Sequence, residues 1–258
     1  MAKKRTKNTL VLTVSVLTIA VLAGAFVMHH VRKSNTFTQT VDSLTVSYDY
    51  PITSKLQEMM DSADYIVIGE YTKFDSTWNM ARNPNNIKEE DPENYVEGRL
   101  YDFTVEQCVK GSIEDSSILI NHRYSEVITT TESNAVIDSE GRILKAATQS
   151  KELSFKVDSP LFIEPEFDCK YILFLLKDAN FGNYYASIEP FSIKITDGKA
   201  ALQSNLIDRT TAFTQQIQAS DSKERTVTID LGGVSITDEI TGKASKDIIR
   251  MIEAGTVN

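Results

Sequence analysis

From Thr9 to Met28 the chain reads TLVLTVSVLTIAVLAGAFVM, 20 residues without a charge. At about 1.5 Å of rise per residue such a helix is roughly 30 Å long, the thickness of a bilayer core. Its few polar members, Thr9, Thr13, Ser15 and Thr18, can return their hydroxyls to helix carbonyls. Lys3, Lys4, Arg5 and Lys7 precede the run, and Arg32 and Lys33 follow it. The larger basic cluster stays in the cytoplasm, which places the C-terminal body outside the cell. Residues 1–33 therefore read as a cytoplasmic basic stub and a transmembrane signal anchor, with the membrane contacted through residues 9–28. A second reading stays open. Ala23-Gly24-Ala25 forms a small-residue cleavage site, and cutting near Ala25 would release a secreted body. Phe26, Val27 and Met28 carry the apolar run to full spanning length, as an anchor requires. A diacylglyceryl lipid anchor is excluded because no Cys lies near the end of the run.

Beyond the anchor the pattern changes period. Residues 34–50 are polar, with scattered Thr, Ser and Val, and predict an extracellular tether that leads into a strand. Pro51, Thr53 and Ser54 supply helix-start chemistry, Ser54 being the candidate N-cap. Leu56, Met59 and Met60 follow at helical spacing, predicting a short helix that ends near Ala63. Tyr65–Ile68 and Tyr171–Leu176 are apolar on both faces. Tyr101, Phe103 and Val105 alternate with polar neighbours, as do Phe191–Ile195 and Val227–Leu231, and Ile118–Tyr124 predicts a further strand. Asp197-Gly198 and Glu140-Gly141, each between two such runs, are hairpin signals. Near the C-terminus Ile248, Ile249, Met251 and Ile252 form one apolar stripe of a helix that Gly255 caps. Doubly covered strands mixed with strands that have one wet face predict a mainly β fold: a small β-barrel with a short N-terminal and a C-terminal helix. Residues 51–258 read as one extracellular domain.

Three segments in order carry a family resemblance. They are Ala63-Asp64-Tyr65-Ile66-Val67-Ile68-Gly69-Glu70, then Tyr101–Glu106 continuing through Val109-Lys110-Gly111, then Lys170-Tyr171-Ile172-Leu173-Phe174-Leu175. Together they resemble netrin-like domains, the OB-fold family that includes tissue inhibitors of metalloproteinases. They resemble still more the membrane-anchored extracellular β-domains of Gram-positive bacteria that share this pattern. The resemblance spans about residues 63–198 and implies an OB/netrin-like barrel. The inhibitors present a free N-terminal Cys to a catalytic zinc and are rich in disulfides. Here the body follows a membrane segment and has two Cys, so the inhibitory activity does not carry over.

Charge narrows the partners. The net charge is −9. Setting aside the six basic residues of the N-terminal stub leaves 21 basic against 36 acidic residues, a net of −15 for the body. Such a surface repels phosphate backbones, so no nucleic-acid partner is expected. Cys108 and Cys169 lie outside the membrane, where a disulfide joining neighbouring strands is one outcome and two thiols the other. His29 and His30 sit at the membrane edge beside Arg32 and Lys33. His122, the remaining His, shares strand parity with Ile118, Ile120 and Tyr124, which predicts a structurally satisfied side chain. No Gly-x-Ser-x-Gly elbow, P-loop or dinucleotide fingerprint accompanies it, and no cofactor or metal site is expected.

The stretch from Asp75 to Gly98 predicts a long connection between strands. It holds Trp78, Tyr95 and the acidic run Glu89, Glu90, Asp91, Pro92 and Glu93, whose spacing is not that of an EF-hand. An aromatic beside acids suits a cationic or sugar-like surface, so these residues form the candidate binding loop. The expected function is a membrane-anchored binding or interaction module, its partner an extracellular protein or an envelope polymer. The alternatives are an extracellular hydrolase using acids and His122, and a structural component of the envelope or spore surface.

Overall fold

The two segments that are apolar on both faces become adjacent strands at the centre of the main sheet. The computed structural model of the chain describes residues 37–38, 43–48, 50–133, 136–137, 143–146 and 148–256. The strands in chain order are β1 (Phe37–Thr38), β2 (Ser43–Ser47), β3 (Tyr65–Asn79), β4 (Arg82–Asn83), β5 (Asn86–Glu90), β6 (Val96–Lys110), β7 (Ser117–Ser133) and β8 (Val136–Ile137), then β9 (Ile143–Lys145), β10 (Ser150–Asp158), β11 (Lys170–Lys177), β12 (Tyr184–Ala186), β13 (Ser192–Thr196), β14 (Lys199–Leu202), β15 (Phe213–Gln218) and β16 (Glu224–Asp230). The helices are α1 (Leu56–Ser62) and α2 (Ser245–Thr256). No helix among the described residues is long and apolar enough to cross a membrane. The apolar run at 9–28 lies outside the described residues, as do His29 and His30.

The chain divides into two compact units. One comprises the residues up to Leu44 together with Thr131–Glu152, and in it β1, β8 and β9 form a three-stranded antiparallel sheet. Val136 pairs with Lys145 and Ile137 with Ile143, as the Glu140-Gly141 hairpin signal predicts. The other unit, Thr45–Thr130 with Leu153–Asn258, holds both helices. Its main sheet runs in the order β10-β7-β6-β3-β11-β13-β14. β12 pairs antiparallel with β11 and parallel with β7. The path β3-β6-β7-β12-β11 therefore returns to β3 through the antiparallel β11–β3 pairing, in which Ile172 faces Ile68.

A flat sheet cannot make such a circuit. The β3–β6 ladder carries register shifts at four places between Ile66 and Ser76, each of which bends and twists the strand. At one of them sits Gly69, where a Cβ would lie 1.9 Å from the Thr104 carbonyl oxygen. Only a residue without a side chain lets β3 approach β6 this closely. Inside, Val67, Tyr71, Phe103, Ile120, Leu173 and Tyr184 belong to one buried apolar cluster. Full burial of such a side chain stabilises the fold by about 1.5–3 kcal/mol each.

The Asp197-Gly198 signal is met by the β13–β14 hairpin. Asp197 (φ 51°) and Gly198 (φ 72°) both take positive φ, as a two-residue turn matched to strand twist requires. A separate sheet, β15-β16-β2, buries Val227 and Ile229. The helices correct two expectations. Lys55, not Ser54, occupies the N-cap of α1, and no side chain caps it. Instead the Lys55 amide donates to Thr53 Oγ1 at 3.0 Å. In α2, Ile248 and Ile252 are 1% exposed, but Met251 is 53% exposed and Ile249 is only partly buried. The buried stripe is thus the i, i+4 pair alone. Gly255 lies within α2 rather than beyond it, and its missing Cβ admits Met60 of α1, whose Cε would stand 2.5 Å away.

The largest correction concerns residues 75–98. They are not a loop. β3 continues to Asn79, and β6 begins at Val96, with Trp78 opposite Gly98 and Asn79 opposite Glu97. Only residues 80–95 leave the ladder, and they contain the small β4–β5 hairpin. The buried Asn79 side chain holds the base of that excursion. Its Nδ2 donates to the Asp91 and Asn94 carbonyls at 2.9 and 2.7 Å, and its Oδ1 accepts from the Ala81 and Val96 amides at 3.0 Å each.

Candidate functional site

The residues of the expected binding loop separate in the structure. Trp78 turns inward: its Nε1 donates to Asn121 Oδ1 at 2.9 Å, and its ring lies 5.0 Å from that of Phe181. The Arg82 guanidinium stands 3.6 Å from the Phe181 centroid and 5.0 Å from that of Trp78, and it pairs with Asp178. Asp91 is buried and serves its own turn. Its Oδ2 accepts from Asn94 Nδ2 at 2.7 Å and its Oδ1 from the Glu93 amide at 2.8 Å. These bonds, the one from Asn94 first, hold its carboxyl below the usual range. Glu89, Glu90 and Tyr95 remain exposed. The signal for this division was the Asn79/Asn94 pair: the Asn79 amide satisfies backbone groups inside the excursion, and the Asn94 amide holds the Asp91 carboxylate.

Cys108 and Cys169 are both unbonded thiols. They do not lie on neighbouring strands, because β3 runs between β6 and β11. Two strand spacings of about 4.8 Å separate those strands, whereas a disulfide tolerates Cα separations up to about 7 Å. The Cys108 thiol donates to the Lys110 carbonyl at 3.2 Å, and burial raises its pKa.

His122 sits where the chemistry is densest. Parity on β7 points it inward with Ile120, as predicted, and the rings of Tyr71, Tyr101, Phe162 and Phe191 surround it at 5.2–6.2 Å. Its Nε2 lies 2.9 Å from the Tyr71 hydroxyl. Desolvation among these rings lowers its pKa to about 3, so the imidazole is neutral at physiological pH. Beside it opens a cleft of about 30 Å³ lined by Tyr71, His122, Tyr171, Glu189, Phe191 and Gln203, with Glu164 at its rim. One water needs about 10–15 Å³ on this measure, so two or three water-sized groups fit. Glu189 was not singled out by sequence. It is buried, it accepts from Ser204 Oγ at 2.6 Å, and burial pushes its pKa up to about 7. No local pattern marks it, because its partners are distant in sequence: its amide donates to the Pro51 carbonyl and its carbonyl accepts from the Thr53 amide, both at 2.9 Å.

This arrangement opposes hydrolysis by His122. A general base needs a pKa near the working pH and a partner proton to take. Here burial has removed the basicity, and the tyrosine hydroxyl occupies Nε2. Among the described residues no group of three or more His, Cys, Asp or Glu is placed to hold a metal ion.

Outside the cleft the aromatic packing continues to the surface. Phe74 and Phe167 are 44% and 41% exposed, and their rings lie 5.5 and 6.5 Å from that of buried Tyr101. The Tyr101 hydroxyl donates to Glu164 at 2.7 Å, and Arg99 donates to the other oxygen of the same carboxylate at 2.8 Å. The Arg99 guanidinium in turn lies 3.3 Å from the Tyr124 centroid. An exposed aromatic pair thus borders a fixed ion pair that opens onto the cleft. The chain matches no protein-family model, no curated protein and no solved structure.

Proposed function

We propose that the chain is a membrane-anchored extracellular recognition module on an OB/netrin-like barrel, and that its partner docks on the aromatic surface around Tyr101. The pairing circuit β3-β6-β7-β12-β11 supports the barrel. In OB-folds the face of the second and third barrel strands and the connection between the first two carry binding. The corresponding elements here are β6, β7 and the hairpin from β3 to β6. The observation that carries the reading is the exposure of Phe74 and Phe167 against Tyr101 beside the Arg99–Glu164 pair. Large aromatics next to Arg, rimmed by polar groups, are the usual core of a recognition surface. The anchor at residues 9–28 rests on the uncharged run and its 4:2 basic asymmetry.

The test is capture from envelope extracts with the full chain in detergent micelles, comparing wild type with Phe74→Ala/Phe167→Ala. A protein or polymer retained by the wild type should be lost by the double variant, with the melting temperature preserved. Equal capture by both places the binding surface elsewhere, or leaves a structural envelope role.

A further inference from the structure

We propose that the cleft beside Glu189 and the Tyr71–His122 pair receives a primary ammonium group on an unbranched stem, the head of a lysine side chain; the proposal rests on the recognition-module reading and names the chemistry its cleft selects.

The lining has the two features that hold an ammonium. Tyr71, Tyr171, Phe191 and His122 supply aromatic surface, whose ring faces attract cations. Glu189, 8% exposed, supplies a carboxyl group. Ser204 occupies its Oε1, and its Oε2 has no hydrogen-bond partner among the described residues. An ionised carboxylate only accepts hydrogen bonds, so that oxygen is open to a donor entering the cleft, and an ammonium brings three.

Nothing in the cleft repels a cation. No Lys or Arg lines it. The nearby Lys194 is paired with Glu166 at 2.6 Å, and Arg99 with Glu164 at 2.8 Å. The titratable groups that face Glu189 are Tyr71 from β3, His122 from β7, Tyr171 from β11 and Glu164 from the segment after β10. The two tyrosines and the histidine are neutral at pH 7: burial raises the first two and lowers the third. Size decides the rest. About 30 Å³ admits a terminal nitrogen and the carbon beside it but no sugar ring. The apolar Leu161, Ile163 and Pro165 of the lining are then placed to cover the methylenes of the stem. The body's net charge of −15 favours approach of a cationic partner.

Binding couples to a proton. The Glu189 carboxyl, held near 7, must ionise to pair with the ammonium. Affinity should therefore rise between pH 6 and pH 8, approaching tenfold per unit below pH 7.

The experiment titrates the full chain in detergent micelles with N-acetyl-lysine amide, using N-acetyl-norleucine amide at equal ionic strength as the uncharged control, and follows Tyr and Phe side-chain NMR shifts. The lysine compound should saturate and the norleucine compound should not. Glu189→Gln should weaken the lysine compound at least tenfold and abolish its pH dependence. Gln203→Lys, which places an ammonium in the cleft from within, should also abolish the response, and it decides the matter if Glu189→Gln does not fold. Equal binding of the two compounds, or lysine binding that survives both substitutions, overturns the proposal. Loss of envelope capture in the Phe74/Phe167 variant, with no lysine response in the wild type, would sink the ammonium site alone.

Discussion

The Tyr71 hydroxyl and His122 Nε2, 51 residues apart in sequence, lie 2.9 Å apart inside a shell of aromatic rings. Both groups are desolvated, and each satisfies the other. Tyr71→Phe removes the hydroxyl and leaves the ring nitrogen without its partner. A buried polar group so stranded costs about 1–3 kcal/mol. For a body of this size that corresponds to a fall in melting temperature of roughly 2–12 °C, measurable by thermal denaturation. An unchanged melting temperature would mean that water reaches the imidazole freely.

Glu189 and His122 make opposite contributions to stability against pH. The Glu189 pKa is raised from 4.5 to about 7 on folding, so between these values the folded chain holds a proton that the unfolded chain has lost, and stability falls as pH rises. The His122 pKa is lowered from 6.5 to about 3, so between those values the unfolded chain holds the extra proton, and stability rises with pH. Each slope is at most about 1.4 kcal/mol per pH unit. From pH 4.5 to 6.5 the two cancel, and the contribution of this pair is flat. Glu189→Gln should expose the rising limb and His122→Phe the falling one in urea denaturation across that range. Parallel profiles for wild type and both variants would contradict the assignment.

The tail helix separates two apolar positions three residues apart. Ile248→Asp, at a buried site, removes about 1.5–3 kcal/mol of burial and adds a desolvated charge, which should lower the melting temperature by at least 5 °C. Met251→Asp, on the exposed side, should leave it within about 1 °C. A similar loss in both would show that Met251 is covered in solution.

Trp78 is the sole tryptophan and reports on the hairpin. A Cβ at position 98 would lie 2.4 Å from both Trp78 Nε1 and Asn121 Oδ1. Gly98→Ala should break the bond between them and shift the fluorescence maximum to longer wavelength. An unshifted spectrum would place the indole elsewhere.

Both cysteines should react as thiols. Unfolding in denaturant without reductant, followed by maleimide labelling and mass spectrometry, should add two labels per chain. An unlabelled chain would require a Cys108–Cys169 bond and hence a rearranged β3.

Strand identity was legible wherever side-chain period and burial agree. Tyr101 and Phe103 face inward while Thr104 and Glu106 face solvent, as their alternation requires. Asp197-Gly198 specified its turn because positive φ is a local demand. By contrast, the continuation of β3 to Asn79 and the start of β6 at Val96 were hidden. Segment 75–79 is polar enough to read as loop, and what keeps it extended is pairing with residues 97–100 of β6. The separation of Trp78 from Glu89 and Glu90 has the same origin: Asn121, which bonds the indole, comes from β7, and Phe181, which packs on it, from the turn between β11 and β12.

The mainly β character, the two helices, the β13–β14 turn and the inward placement of His122 follow from local period and backbone preference. That β12 joins β7 to β11, that β3 separates the two cysteines and that Glu189 is buried near a neutral imidazole arise from the assembled fold. These depend on which distant strands pair and what they desolvate. Hydrogen-bond partners and local dielectric are properties of the assembled sheet, and no window of neighbouring residues encodes them.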